Sequence, residues 1–108
     1  MSELRRIMHV EDDPSIQTVA RVALEAVGGF EVCTCSGGQE ALDRFESFAP
    51  QLILLDVMMP TMDGPSTLRN LQQQFDLTKI PVVFMTAKVQ TNEIESYKAL
   101  GASDVVVK

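Results

Sequence analysis

Four places in this sequence set a polar or ionisable side chain directly after an apolar run. Glu11, Asp12 and Asp13 follow Ile7-Met8-His9-Val10, Asp56 follows Leu52-Ile53-Leu54-Leu55, Thr86 follows Val82-Val83-Phe84-Met85, and Lys108 follows Val105-Val106-Val107. Short aliphatic runs of this kind read as buried strands, so each polar group stands where a strand gives way to a loop. Three carboxylates brought together, Glu11, Asp12 and Asp56, would repel one another without a counter-charge. A hard divalent cation with oxygen ligands meets that need. Mg²⁺ is the expected ion, because it keeps waters and still accepts a phosphate oxygen. Lys108 adds a second positive charge and Thr86 a hydroxyl. This set suits a phosphoryl group, with Asp56 as the nucleophile. The plainer reading, an Asp that caps a loop, stays open for as long as Asp56 is taken alone.

Two further groups have a chemical reading and a plainer one. Cys33 and Cys35 have half the spacing of a metal site, but His9 is the only histidine. Two apart in a strand, the cysteines share a face with Cβ atoms too far apart for a disulfide. Buried small apolar residues in a reducing cytosol are the better reading. His9 lies inside the first run and reads as a packed side chain rather than a phosphoryl carrier.

The positions of these residues depend on the elements around them. The first strand covers residues 5–10. Asp13-Pro14 then starts a helix, Asp as N-cap and Pro at the first helical position, and Ile16, Val19, Ala20, Ala23 and Val27 form its apolar stripe until Gly28-Gly29 stops it. A second strand, 30–35, is followed by the capping-box spacing Ser36…Gln39 and a helix with Ala41, Leu42, Phe45 and Phe48 on one face, closed by Pro50. The third strand runs over 52–55, and Pro60 and Gly64 forbid its continuation. A helix over 66–75 carries Leu68, Leu71 and Phe75. Residues 80–85 form a fourth strand, with Pro81 near its start, where a missing donor is tolerable. Asn92…Glu95 caps a fourth helix with Ile94, Tyr97 and Leu100 aligned and Gly101 as terminator, and 102–107 is the last strand.

Strands alternating with helices imply an α/β, doubly wound, parallel sheet with right-handed crossovers. Parallel strands bring all their carboxyl ends to one edge. In the order 2-1-3-4-5 the first and third strands are neighbours at the switch point, and Glu11, Asp12 and Asp56 meet there. The 108 residues suit one domain, and 45% apolar and 22% charged residues are ordinary for a soluble globular chain. A net charge of −6 argues against nucleic-acid backbone as a direct partner. No apolar run reaches the length of a membrane span, and no signal-peptide core follows the N-terminus, so a cytoplasmic location is expected.

With Val10-Glu11-Asp12-Asp13, the run from Asp56-Val57-Met58-Met59-Pro60 to Asp63-Gly64, Met85-Thr86-Ala87, and Gly101-Ala102-Ser103-Asp104 leading to Lys108, the chain resembles the receiver domain of two-component response regulators over essentially its whole length. The resemblance implies a flavodoxin-like (CheY-like) fold and a set of roles. Asp56 would be the phosphoacceptor, fed by a histidine kinase or phosphotransfer protein. Asp12 would bind Mg²⁺ directly and Glu11 through water, and Met58 would offer its backbone carbonyl. Lys108 would pair with the acceptor and then its phosphoryl oxygen. Thr86 would swing to that oxygen, with Ala87 small enough to leave access. The face of the fourth helix and fifth strand would carry the change to a downstream effector. Asp13 falls outside the metal pair and reads as the helix cap.

The chain departs from the family's pattern in two ways. Val105 stands where many members have Tyr or Phe, so an aromatic ring on the last strand cannot report phosphorylation here. The family also continues past the Lys with a fifth helix. A single receiver domain, 1–108, ending after the fifth strand is therefore expected, with one face of the sheet open to water and self-association as a way to cover it. The alternative is a Mg²⁺-dependent phosphatase that passes through an aspartyl phosphate. Such an enzyme of the haloacid-dehalogenase type needs a second Asp two residues after the nucleophile, and that position is Met58. A flavodoxin-like cofactor binder is disfavoured by Glu11-Asp12-Asp13, which would repel phosphate. A receiver that only mediates contacts is disfavoured by the intact residue set.

Overall fold

A computed structural model describes residues 3–87 and 91–107. Its elements are β1 (Arg6–Val10), α1 (Pro14–Val22) continued by a π-helical turn (Ala23–Val27), β2 (Glu31–Cys35), α2 (Gly38–Phe48), β3 (Leu52–Asp56), α3 (Gly64–Gln74), β4 (Val82–Thr86), α4 (Thr91–Ala99) and β5 (Asp104–Val107). The strands form one parallel sheet in the order β2-β1-β3-β4-β5. The expected doubly wound architecture and strand order are both present.

Alternation along the strands divides the sheet into two faces. On one, Met8, Val10, Cys33, Cys35, Ile53, Leu55, Val82 and Phe84 form the core with Ala41, Leu42 and Phe45 of α2 and Leu68 and Leu71 of α3. Phe45 stacks on Phe75 at the end of α3, ring centroids 4.3 Å apart. Ile7 and His9 point to the other face and are buried. That face is covered far less: no residue of α1 is buried, and Val106 on β5 is exposed. The apolar stripe expected to bury α1 is therefore present but mostly uncovered.

Local chemistry sets the helix starts. The side chain of Asp13 accepts from Ser15 N at 2.8 Å and Ile16 N at 3.3 Å, as its sequence position predicts. Three other starts differ from expectation. At α2 the cap residue is Gly37, and Glu40 rather than Gln39 accepts from the Ser36 N–H at 2.8 Å. At α3 the cap is Asp63, which accepts from Ser66 N at 2.8 Å, so the helix begins at Gly64 with Pro65 in its first turn. At α4 the helix already runs from Thr91, which places Asn92 inside the first turn instead of at the cap. No helix of the described residues is long and apolar enough to cross a membrane.

Candidate functional site

The carboxyl edge of the sheet gathers those predicted residues that are described, Glu11, Asp12, Asp56, Met58, Thr86 and Ala87. Glu11 follows β1 directly and is tied down on both sides of its backbone. Its N–H donates to the Cys35 carbonyl at 2.9 Å, and its carbonyl accepts from Gln17 Nε2 at 2.5 Å. Gln17 also reaches Ser36 Oγ at 3.3 Å, so α1, β1 and the β2–α2 turn meet at this point. Asp56 is the last residue of β3, paired in register with Met85 of β4. Glu11 and Asp56 are buried, at 1% and 3% exposure, while Asp12 faces solvent. One carboxylate oxygen from each of Glu11, Asp12 and Asp56 lies within 4.8 Å of the others. Expectation and structure agree on this meeting.

The donor set is three hard carboxylate oxygens, two of them in a dry setting and one open to water. Like charges held this close favour a divalent cation, and an all-oxygen set with solvent access matches Mg²⁺ better than a soft metal. Neither cysteine belongs to the cluster. Both are buried free thiols whose Sγ atoms lie 3.9 Å apart. Burial above all, then the adjoining Cys33 thiol, pushes the Cys35 thiol far above its usual range.

The β3–α3 loop carries the rest of the edge. Val57 N–H donates to the Met85 carbonyl at 3.0 Å, and Gly64 N–H returns to the Val57 carbonyl at 2.9 Å. This turn closes so tightly that a Cβ on Gly64 would run into the Asp56 carbonyl oxygen, which accounts for a glycine there. The Met58 side chain is 76% exposed, so its thioether points away from the core and only its backbone is a candidate ligand. Thr86 ends β4 and is buried at 6% exposure, and Ala87 beside it is exposed. Lys108 lies outside the described residues. Asp13 caps α1, and His9 is buried within β1, both as expected.

Three residues at this edge were not read from the sequence as belonging to the site. Gln17 holds Glu11 through a backbone carbonyl, an interaction with no side-chain signature. Glu93 and Tyr97 of α4 line, with Val57, Met58, Thr86 and Ala87, a cleft of about 320 Å³ at the ends of β3 and β4. Only the chain's return through α4 brings them there.

Comparison with known proteins fits this geometry. The family model described as the response regulator receiver domain matches residues 7–108. The alkaline phosphatase synthesis transcriptional regulatory protein PhoP of Bacillus subtilis is 38% identical over 104 residues, covering 96% of this chain and 42% of that protein. The probable C4-dicarboxylate response regulator DctR of Halalkalibacterium halodurans is 33% identical over 106 residues, covering 97% and 45%. The chain thus spans less than half the length of these curated relatives. Among solved structures, the chemotaxis protein CheY4 of Vibrio cholerae superposes with a TM-score of 0.90 at 27% identity, covering 98% of this chain and 88% of that one. The N-terminal domain of a response regulator receiver protein from Methanoculleus marisnigri gives 0.87 at 34% identity, covering 98% and 85%. By its sequence, its strand order and the carboxylates at the edge of its sheet, this chain belongs to the response regulator receiver domain family.

Proposed function

We propose that the chain is a phosphorylation-dependent signalling switch in which Asp56 accepts a phosphoryl group from a phosphohistidine on a sensor kinase or phosphotransfer protein. The observation that carries this reading is the cluster of Glu11, Asp12 and Asp56 oxygens within 4.8 Å at the end of β3. In the transfer, an Asp56 oxygen forms a bond to phosphorus as the phosphorus–nitrogen bond breaks. The leaving imidazole nitrogen keeps the bonding pair and takes a proton from water. Asp12, Asp56 and the Met58 carbonyl would hold Mg²⁺, with Glu11 acting through water, and the ion supplies charge neutralisation for the transferring oxygens. Asp56 is buried, and one of its oxygens lies within 4.8 Å of those of Glu11 and Asp12. Lys108 supplies the second positive charge, first to the acceptor and then to the phosphoryl oxygen.

The product is an acyl phosphate on the protein itself, and the output is conformational rather than a released metabolite. Thr86 turns its hydroxyl toward the new phosphoryl oxygen, Ala87 leaves room for it, and the two-state equilibrium of the α4–β5 face shifts toward an effector-binding form. The phosphatase alternative is disfavoured by the largely exposed Met58 at the position where an acid/base Asp is required. Incubation with acetyl phosphate and Mg²⁺ followed by intact mass tests the proposal. The expected result is one added phosphate that needs Mg²⁺ and is absent from Asp56→Asn, which keeps its fold. Continuous release of free phosphate without phosphoprotein would favour the phosphatase. Uptake by Asp56→Asn at the parent rate would exclude Asp56 as acceptor.

A further inference from the structure

The Cys-x-Cys pair of β2 meets a further soft side chain across the sheet. Cys33 and Cys35 belong to the core face, and their Sγ atoms lie 3.9 Å apart. In the parallel pairing of β1 with β2, Met8 is the residue in register with Cys33. Met8 belongs to the same core face, and all three residues are buried. Met8 stands far upstream of the cysteines in the chain, so only strand pairing brings it to them. A disulfide needs its sulfurs about 2 Å apart, well inside the observed spacing. Two thiolates bound to one ion at about 2.3 Å lie about 3.8 Å apart at a tetrahedral angle and about 4.0 Å apart at a trigonal one. The observed 3.9 Å falls between those two values.

We propose that Cys33, Cys35 and Met8 form a site for a soft monovalent cation, Cu(I), separate from the acidic edge that suits Mg²⁺. Thiolate and thioether sulfurs select Cu(I). Zn²⁺ would require a full set of four thiolate, imidazole or carboxylate ligands. Among the described residues, the one group of three or more such side chains with ligand atoms in reach of one another is Glu11, Asp12 and Asp56. Glu40 of α2 is engaged elsewhere, accepting from the Ser36 N–H and pairing with Arg44. Both cysteines are free thiols, so loading exchanges two protons for one ion. Two S–H bonds break, two Cu–S bonds form, both protons pass to solvent, and no electron is transferred. The product carries a single negative charge. Arg44 places a guanidinium on the same strand, donating to the carbonyl of Thr34, the residue between the cysteines, at 3.3 Å. β2 is an edge strand of the sheet, so the ion enters by local opening of that edge.

The test is an oxygen-free titration of the full chain against Cu(I) held by bathocuproine disulfonate, whose colour reports the ion it gives up. The expected result is transfer of a single ion per chain and a higher melting temperature for the loaded protein. X-ray absorption at the copper edge should show sulfur neighbours alone. Cys33→Ala and Cys35→Ala should each lose the transfer. Met8→Leu keeps the core filled and should bind about tenfold more weakly or worse, a loss that even changes around the ligands can reach. No transfer to the parent protein overturns the proposal. So does a lowered melting temperature on loading, because the ion would then be held by the unfolded chain. Nitrogen or oxygen neighbours at the copper, or undiminished affinity in Met8→Leu, overturn the three-sulfur site. None of these readouts uses phosphate, so they stand apart from the acceptor role of Asp56.

Discussion

Asp12 is the solvent-facing member of a carboxylate cluster whose other two members are buried. Its charge is held near two others, so without metal it costs stability, and with metal it binds. Asp12→Ala is therefore expected to melt at a higher temperature than the parent in metal-free buffer and to lose the stabilisation that Mg²⁺ gives the parent. A lower melting temperature without metal would show that the three charges do not repel as their spacing implies. The cysteines obey the opposite logic. Burial holds the Cys35 thiol protonated with Cys33 packed against it, and thiol reactivity follows the thiolate. Modification by a thiol reagent across a denaturant series is expected to rise in step with unfolding. Rapid labelling of both thiols in native buffer would contradict the packing described for β2.

At the level of elements, α2 ends on a residue in an unfavourable conformation. Ala49 is its C-cap at φ 53°, in the left-handed region, with its N–H still bonded to Phe45 O. A residue with a Cβ there costs about 1–2 kcal/mol, which glycine avoids at some loss of chain entropy. Ala49→Gly is expected to raise stability by about 0.5–1 kcal/mol in urea unfolding, and a destabilised variant would sink the argument. Helix ends are also where the sequence was least legible. Asp13-Pro14 was readable because cap and first helical residue lie side by side. Ser36…Gln39 misled because the cap is Gly37, which moves the reciprocal acceptor one residue on, to Glu40. Asp63 was missed because Gly64-Pro65 reads as loop, although Pro is at home in a first turn. The five strands, in contrast, were legible from their apolar runs and the helix-length spacers between them, and their order was expected from the doubly wound pattern and the family resemblance rather than from any single residue. The cluster followed, since topology alone brings Asp56 beside Glu11. Gln17 and Tyr97 were not legible, because neither a side chain on a backbone carbonyl nor a ring arriving from a later helix leaves a local pattern.

For the whole molecule, the two faces of the sheet are unequally covered. α2 and α3 seal one face, but on the other Val19 and Val22 of α1 are 70% and 58% exposed, and Val106 of β5 is 45% exposed. Ile16, Val19, Ala20, Ala23 and Met85 line a cleft of about 390 Å³ between α1 and β4. An apolar stripe in a sequence marks which face seeks cover without naming the cover, which is why the stripe was predicted and its exposure depends on what lies beside it. Because helix and strand patches share one face, a twofold axis can seat α1 of one copy against β4 and β5 of another in both directions. The 108-residue chain is expected to sediment as a concentration-dependent dimer, tighter at high salt because a charge of −6 on each copy is then screened. Val19→Glu should weaken it. A sharp monomer at tens of micromolar without binding of an apolar dye would show that the face is tolerated in water.

The adjacency of β1 and β3 has a consequence for how the molecule is made. Synthesis is vectorial, and Glu11 and Asp12 leave the ribosome more than forty residues ahead of Asp56, a delay of a few seconds at roughly 5–20 residues per second. Asp56 in turn needs β4 at its side, since Val57 is held by the Met85 carbonyl. A growing chain therefore holds two acidic side chains with nothing to cooperate with until most of the sheet has emerged. The capacity to gather a cation at this edge is therefore expected only once β4 has emerged and paired with β3.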